Sequence, residues 1–208
     1  MTDLRARVLR ELEAPAQLLA AEFFDAEGRF AALTFDALPD NPVGRFSAAD
    51  LLAVSLLEPL KPPAVRALLT TRSGEFTELL QELPADVDLW DATDTHLAAA
   101  ERCDVALRSL RDVGETRASK LMARKRPRLV PIVDSVIRHA LSLGGEPRRE
   151  LRECLADPEV RAAVERARPQ VAPAEIISTL RLLDAVVWIR HSGSRNAQEA
   201  RRRAGLEE

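Results

Sequence analysis

Apolar residues recur at intervals of three and four along almost the whole chain, and this spacing limits the fold more than any other feature. A stripe of that period covers one face of an α-helix, whereas a half-buried strand alternates every second residue. The clearest example lies between residues 174 and 190, where Leu180, Leu183 and Val187 repeat at helical spacing. We therefore predict an all-α fold with this segment as its central core helix.

Proline, glycine and capping residues divide the helical pattern into separate segments. Ser47 followed by Asp50 predicts a capping box at the start of one helix. The prolines after Lys61 end that helix and suit the first turn of the next. Further helices are predicted at 3–24 with a bend near Pro15, and at 75–82, 95–110, 115–124, 132–143, 148–156 and 159–168.

Three regions depart from the helical pattern. Residues 28–38 mix apolar side chains with glycine, proline and aspartate, so we expect a loop with one or two short strands at most. The stretch 83–91 has the composition of a linker, which would separate a helical region 1–85 from a second one, 86–192; a single domain is the alternative. The polar tail 193–208 is expected to fray.

The composition argues against several classes of protein. The net charge of −3 is unlike a general nucleic-acid coat, although it allows a local basic patch. No run approaches the ~20 apolar residues of a membrane span, and the charged N-terminus lacks the apolar core of a signal peptide. Cys103, Cys154 and the three histidines lack metal-ligand spacing. We expect buried free thiols, a cytoplasmic location, no membrane contact, no metal and no cofactor.

One stretch, DVGETRASKLMARKRPRLVPIVDSVIR from Asp112 to Arg138, concentrates basic residues within an acidic chain. A tight turn, in which Gly114 can take a positive φ, precedes a short helix. Such a turn leaves backbone N–H groups free at a helix N-terminus, which suits a phosphate and holds a duplex without reading its sequence. The candidate phosphate contacts are Val113, Gly114, Arg117, Lys120, Arg124, Lys125, Arg126, Arg128 and Arg138.

The same stretch resembles the helix-hairpin-helix DNA glycosylases, the HhH-GPD superfamily. Their motif joins Val-Gly in the hairpin to an apolar helix and a Val-Asp segment, as Val113-Gly114 and Val133-Asp134 do here, with 20 residues from Gly114 to Asp134. The resemblance covers residues 110–138. It implies a two-lobed helical protein that binds double-stranded DNA. The segments KLMARKRPRLVPIVDSVI and LRLLDAVVWI also resemble an uncharacterised, mostly actinobacterial family, which implies no function.

The resemblance implies a catalytic role for Asp134. In the family this aspartate faces the cleft that holds a flipped nucleotide, where it stabilises positive charge on the sugar as the glycosidic bond breaks. The structural alternative is a helix N-cap that also pairs with Arg138. The first hypothesis is therefore a base-excision DNA glycosylase with Asp134 as its catalytic residue.

This chain differs from the family pattern in its hairpin. Asp112 replaces the first hairpin glycine, which weakens the expected hold on DNA. Thr116 stands where bifunctional members carry a lysine, so we expect a monofunctional enzyme without a lyase step; Lys120 lies one turn further on.

A flipped base would need aromatic or apolar walls. Because the chain has no tyrosine, the wall candidates are Trp90, Trp188, Phe30, Phe35 and Phe46. Trp90 is preferred because Trp188 lies in an apolar helix typical of a core.

Two other functions stay open. The chain could be a non-catalytic helix-hairpin-helix module that binds DNA without a base pocket. It could also be a helical interaction protein whose basic loop binds an acidic partner. A cleft at Asp134 large enough for a base would favour the glycosylase over the non-catalytic module.

Overall fold

Residues 2–170 and 176–206, which the computed structural model describes, form 13 α-helices and no strand, so the predicted all-α class is confirmed. The helices are α1 (Thr2–Glu11), α2 (Ala16–Phe23), α3 (Ala32–Ala37), α4 (Ala48–Leu57), α5 (Pro62–Arg66), α6 (Ser73–Gln81), α7 (Asp94–Arg108), α8 (Glu115–Lys125), α9 (Ser135–Leu141), α10 (Pro147–Leu155), α11 (Pro158–Arg166), α12 (Thr179–His191) and α13 (Arg195–Arg203). A π-helical turn, Ala67–Thr71, extends α5, and a 3₁₀ turn, Leu89–Asp91, precedes α7.

The predicted core helix is α12, and most of its residues are buried. It packs against α2, α9, α11 and α13. Ser178 caps its N-terminus by accepting from the Arg181 N–H, and the same hydroxyl donates to the carbonyl of Pro127 at 2.6 Å. The cap therefore fixes α12 to the loop between α8 and α9. Residues 174 and 175, included in the predicted helix, lie outside the described residues.

One connected hydrophobic core runs from Val8 in α1 to Ala204 after α13. Helices from both sides of the predicted boundary at residue 85 contribute to it, since α2 packs on α12 and α4 packs on α8. Any site that α12 borders is therefore built from both halves of the chain. No helix in the described part combines the length and apolar character needed to cross a membrane.

The predicted capping box at the start of α4 is confirmed. The Ser47 hydroxyl accepts from the Asp50 N–H at 3.2 Å, and Oδ2 of Asp50 accepts from the Ser47 N–H at 2.9 Å. Asp50 is fully buried in this position, so its charge needs partners from elsewhere in the fold.

Two regions that lack a clear helical period in the sequence are nevertheless helical. Residues 28–38 contain α3 in place of the expected strands, and the helix buries Ala32 and Phe35, three positions apart, in the core. The tail contains α13, whose buried Ala197 and Ala200 present a small-residue face close to α2. In both cases tertiary packing stabilises a helix that local propensity leaves undecided.

The predicted first helix, 3–24, is divided into α1 and α2, with Pro15 as the N-cap of α2. The expected bend is therefore a complete break, because proline cannot donate the backbone hydrogen bond that would continue α1.

Candidate functional site

The hairpin between α7 and α8 places its left-handed residue two positions before the expected one. Asp112 has φ 64°, whereas Gly114, the N-cap of α8, has φ −88°. Gly114 therefore does not use the positive φ that is open to it, and the turn forms because aspartate tolerates the left-handed region. A Cβ at Gly114 would meet no atom within 4 Å. The Val113 N–H donates to the carbonyl of Leu110 at 3.1 Å, so it is not free for the predicted phosphate contact.

Two of the predicted phosphate-binding cations share one buried carboxylate. Arg124 lies 3.1 Å from Oδ1 of Asp50, and Lys125 lies 2.8 Å from Oδ2. Arg124 also donates to the carbonyl oxygens of Phe35 at 2.6 Å and Asp36 at 3.0 Å. Burial lowers the pKa of Lys125, although the Asp50 carboxylate opposes this shift.

A third predicted phosphate contact, Arg126, is also buried. Its guanidinium donates to the carbonyl oxygens of Leu80 at 2.5 Å, Leu83 at 2.8 Å and Val43 at 3.0 Å. Burial lowers the pKa of Arg126. These three cations at the end of α8 bind acceptors of the N-terminal half and hold it in place. Their burial corrects the prediction, because a phosphate cannot reach them.

The other four predicted phosphate-binding cations are partly exposed, and each has a carboxylate partner. The pairs are Arg117 with Glu58 at 3.2 Å, Lys120 with Glu58 at 3.1 Å, Arg128 with Asp88 at 2.5 Å, and Arg138 with Glu115. Their positive field is therefore weaker than the sequence suggests, and their contact with phosphate stays a prediction.

Asp134 lines a cavity of about 210 Å³. It is the N-cap of α9, and its Oδ1 accepts from the Ile137 N–H at 2.9 Å. No donor within residues 2–170 and 176–206 contacts its Oδ2. The alternative ion pair with Arg138 does not form, because Arg138 binds Glu115. The structure thus gives Asp134 a capping role, and within the described residues its second oxygen has no partner.

Lys120 lines the same cavity, with Asp134, Ile132 and Leu57 among its neighbours there. Its side chain is 13% exposed, and its amine is held by Glu58. A position inside the cavity differs from the outward position expected for a phosphate contact. The cavity therefore brings together Asp134 and Lys120, the two residues of the hairpin unit that are candidates for a chemical role.

The aromatic wall of the cavity consists of Phe23, Phe30 and Trp188. The ring centroid of Phe23 lies 5.2 Å from that of Phe30 and 5.8 Å from that of Trp188. The preferred candidate, Trp90, lies elsewhere and stacks on the Arg161 guanidinium at 5.3 Å.

The other two aromatic candidates do not contribute to this wall. Phe35 and Phe46 are buried in the core. The wall therefore lacks the preferred candidate, Trp90, and includes Phe23, which was not a candidate. The sequence carries no signal for Phe23, because its helical spacing is that of any core residue.

Two charged residues of α12, Arg181 and Asp184, also line the cavity. Arg181 is 2% exposed and donates through Nε to Asp36 at 3.1 Å and through Nη1 to Asp184. Burial raises the pKa of Asp36, and the Arg181 charge opposes that shift. Both residues were missed, although a charged pair three positions apart in an apolar helix is itself a signal.

The cavity reaches the protein surface. Arg29 and Leu56, which are both exposed, stand among its lining residues. Its volume is several times the roughly 30 Å³ that one water molecule occupies in the liquid, so it can hold a small molecule. Among the described residues, no group of three or more His, Cys, Asp and Glu side chains could hold a metal ion.

Residues 16–191 match the model of a family of unknown function (DUF6308). The chain belongs to this family. The matched range runs from α2 to α12 and includes all residues that line the cavity. No curated protein and no solved structure was found to match the chain. Membership in DUF6308 thus leaves the function to be argued from the site.

Proposed function

We propose that the chain binds double-stranded DNA and removes a base from it by hydrolysing the N-glycosidic bond, as a monofunctional DNA glycosylase. The observation that carries this proposal is the position of Asp134. Its carboxylate lines a cavity with an aromatic wall, and no donor in the part of the chain that the structure describes contacts its Oδ2. The resemblance of residues 110–138 to the helix-hairpin-helix glycosylases supports the same reading. The free thiols suit a reducing cytoplasm.

The chemistry requires a fixed negative charge beside the sugar. As the glycosidic bond breaks, positive charge develops on the sugar ring, and a carboxylate held in place stabilises it without reorganising. The N-cap bond to the Ile137 N–H fixes the Asp134 carboxylate, while its second oxygen remains available to the sugar or to the attacking water.

The cavity supplies the pocket for the base. An enzyme that acts on a base within a duplex turns the nucleotide out of the stack and holds the base between aromatic or apolar side chains. Phe23, Phe30 and Trp188 offer such surfaces, and base–aromatic stacking contributes about 1–3 kcal/mol per base.

The α7–α8 hairpin is the proposed contact with the DNA backbone. Neither a positive φ nor packing within the described chain requires a glycine at position 114. A residue without a side chain there suits the close approach of a phosphate to the α8 N-terminus. Arg117 and Arg138 flank this end of the helix and are partly exposed. Because the predicted cations are paired or buried, we expect weak binding without sequence preference.

The main rival is a DNA-binding module without catalysis. Its support is that the N-cap bond alone gives Asp134 a structural reason to be present. The experiment must therefore separate the charge of Asp134 from its capping role. Asparagine caps helices as well as aspartate does, so Asp134→Asn removes only the charge.

The test is a screen of duplexes that contain uracil, alkylated purines, oxidised guanine or mismatches. We expect the wild type to excise at least one of these bases and Asp134→Asn to be slower by about 10². The matched control is Asp157→Asn, because Asp157 also caps a helix but does not line the cavity. Both variants should unfold within about 1 kcal/mol of the wild type. Excision by neither wild type nor variant would favour the rival, and equal excision would remove Asp134 from the mechanism.

A further inference from the structure

One carboxylate oxygen of Asp184 has no partner. Its Oδ2 accepts from Nη1 of Arg181, and no donor in residues 2–170 and 176–206 contacts its Oδ1. The buried side-chain atoms of the described chain that lack a partner are Nη2 of Arg181 and Oδ1 of Asp104, and Oδ1 of Asp184 is not among them. This oxygen therefore keeps accessible surface, so a small molecule can reach it.

The accessible surface of Asp184 lies in the cavity. Arg181, Asp184 and Trp188 are three and four positions apart, so they share one face of α12, and all three line the cavity. The adjoining residues Leu183 and Ala185 are buried in the core. Oδ1 of Asp184 is therefore an acceptor that the protein presents to whatever the cavity holds.

Arg181 holds the Asp184 carboxylate in one orientation. The Arg181 side chain is 2% exposed, and its Nε lies 3.1 and 3.2 Å from the two oxygens of Asp36. The guanidinium is thus fixed by Asp36 through Nε and bonds Asp184 through Nη1. A hydrogen-bonding group that the protein holds in place needs no reorganisation when a ligand arrives. Asp184 can therefore distinguish ligands by the donors that they carry.

A single free carboxylate oxygen suits a ligand that offers one N–H donor without a neighbouring acceptor. The exocyclic amines of adenine and cytosine are such donors, and aspartate accepts from the cytosine amine in DNA recognition. Guanine presents two adjacent donors, of which Asp184 could satisfy one, because its Oδ2 is occupied by Arg181. The imide N–H of uracil lies between two carbonyl oxygens, which a carboxylate repels. These differences favour an amino-substituted base.

We propose that Oδ1 of Asp184 accepts a hydrogen bond from an exocyclic amino group of the ligand, and that the cavity thereby selects amino-substituted bases such as adenine and cytosine. This inference rests on the proposed function, which supplies the setting of a base held in the cavity. It names the class of base and makes Asp184 a specificity residue. Asp134, the other carboxylate among the described lining residues, acts on the sugar.

The test compares free bases that differ only in the amino group. 9-Methyladenine is paired with 9-methylpurine, and 1-methylcytosine with 1-methyl-2-pyrimidinone, so that a methyl group stands at the position of the sugar. The wild type is titrated to millimolar ligand and followed by NMR through the indole N–H signal of Trp188. Because the chain has two tryptophans, the spectrum of Trp90→Phe assigns that signal.

We expect the amino-bearing member of at least one pair to bind about tenfold or more tightly, since a hydrogen bond to a charged group contributes at least that much. Equal or weaker binding of the amino-bearing member in both pairs overturns the proposal. The absence of saturable binding by all four bases does so as well.

Asp184→Asn exchanges the acceptor for a donor. The amide oxygen can take the hydrogen bond from Arg181, which leaves the amide NH₂ group in the place of Oδ1. The variant should therefore bind 9-methylhypoxanthine, which has a carbonyl in place of the amino group, more tightly than 9-methyladenine, whereas the wild type should show the opposite order. A purely structural role of Asp184 would weaken the binding of both ligands alike. The wild-type order in the folded variant would thus overturn the role of Asp184.

A second variant tests the same assignment even if Asp184→Asn does not fold. Asp134→Asn keeps its helix cap and removes the charge of the other lining carboxylate. An amino preference that persists in Asp134→Asn supports Asp184 as the acceptor. Loss of the preference there would assign the contact to Asp134 and overturn the proposal.

These titrations use neither DNA nor catalysis, so the two proposals can fail separately. An amino preference in a protein that excises no base contradicts the proposed function and leaves the ligand class standing. Excision of a base without any amino preference in the titrations does the reverse.

Discussion

The amine of Lys125 lies 2.8 Å from Oδ2 of Asp50, and neither side chain is exposed to solvent. The same carboxylate also holds Arg124 through its Oδ1. One acidic residue at the start of α4 therefore balances two cations at the end of α8. Removing the charge of one member of a buried pair is strongly destabilising, because the other members keep charges that water cannot reach.

Asp50→Asn is expected to lower the free energy of unfolding by about 3–5 kcal/mol. The amide oxygen of the asparagine can still accept from the Ser47 N–H, so the loss reports the missing charge. The measurement is urea denaturation of wild type and variant. The matched control is Asp88→Asn, which removes the partner of Arg128; that side chain is 47% exposed, so we expect a loss of no more than about 1 kcal/mol. Similar losses in the two variants would contradict this interpretation.

Glycine at position 112 should give a more stable protein than alanine does. Its φ of 64° is strained for an L-residue with a Cβ, by about 1–2 kcal/mol, and aspartate tolerates it better than alanine does. Asp112→Ala should therefore reduce stability by about 1 kcal/mol, while Asp112→Gly should leave it unchanged or raise it slightly. Gly114→Ala is the control, because φ −88° suits any residue and a Cβ meets no atom there. A larger loss in the control than in Asp112→Ala would place the strain elsewhere.

The two buried thiols should make the protein sensitive to alkaline pH. Burial raises the pKa of Cys103 to about 12 and that of Cys154 to about 11, from an ordinary value of 9.0. Above pH 9.0 the thiols ionise first in the unfolded chain, so unfolding becomes easier as pH rises. Each thiol should remove about 1.4 kcal/mol of stability per pH unit between its unfolded and folded pKa.

The check is urea denaturation at about pH 8 and about pH 10. Cys103→Ala should lose less stability over this interval than the wild type does. The comparison uses the change with pH within each protein, so the packing loss of the substitution cancels. Parallel pH profiles in the two proteins would show that Cys103 does not contribute.

Borohydride should trap no covalent adduct between the wild type and a duplex with an abasic site. Thr116 cannot form an imine, and the Lys120 amine is held by Glu58 at 3.1 Å. The measurement is denaturing electrophoresis of the borohydride-treated mixture, with Lys120→Ala as the comparison. An adduct of the wild type that disappears in Lys120→Ala would make Lys120 a nucleophile and end the monofunctional assignment.

Local signals predict those parts of the fold that local interactions determine. The Ser47–Asp50 capping box, the start of α8 at Glu115 and the core helix α12 each follow from spacing and capping residues. Asp134 as a cavity residue was predicted through the resemblance, and the structure puts it there as an N-cap. The capping box, the start of α8 and the N-cap bond of Asp134 share one property, since each depends on residues within a few positions of one another.

The fate of the basic run in α8 could not be predicted in the same way. Arg124, Lys125 and Arg126 find their acceptors 43 to 89 positions earlier in the chain, on α3, α4 and the end of α6. A sequence shows that these side chains are charged, but only the fold shows which acceptors surround them. The prediction of the aromatic wall missed Phe23 for the same reason, because Phe23 and Trp188 meet only when α2 packs on α12.

The residues that line the cavity lie far apart in the sequence, so the cavity can form only after all of them have been translated. Phe23 and Phe30 are translated long before Arg181, Asp184 and Trp188, because the two groups lie at distant positions in the sequence. At a translation rate of about 5–20 residues per second, many seconds pass between the synthesis of Phe30 and that of Arg181. A nascent chain that already carries the hairpin and Asp134 therefore has no enclosed pocket. The proposed recognition of a base becomes possible only after α12 has been released and has docked.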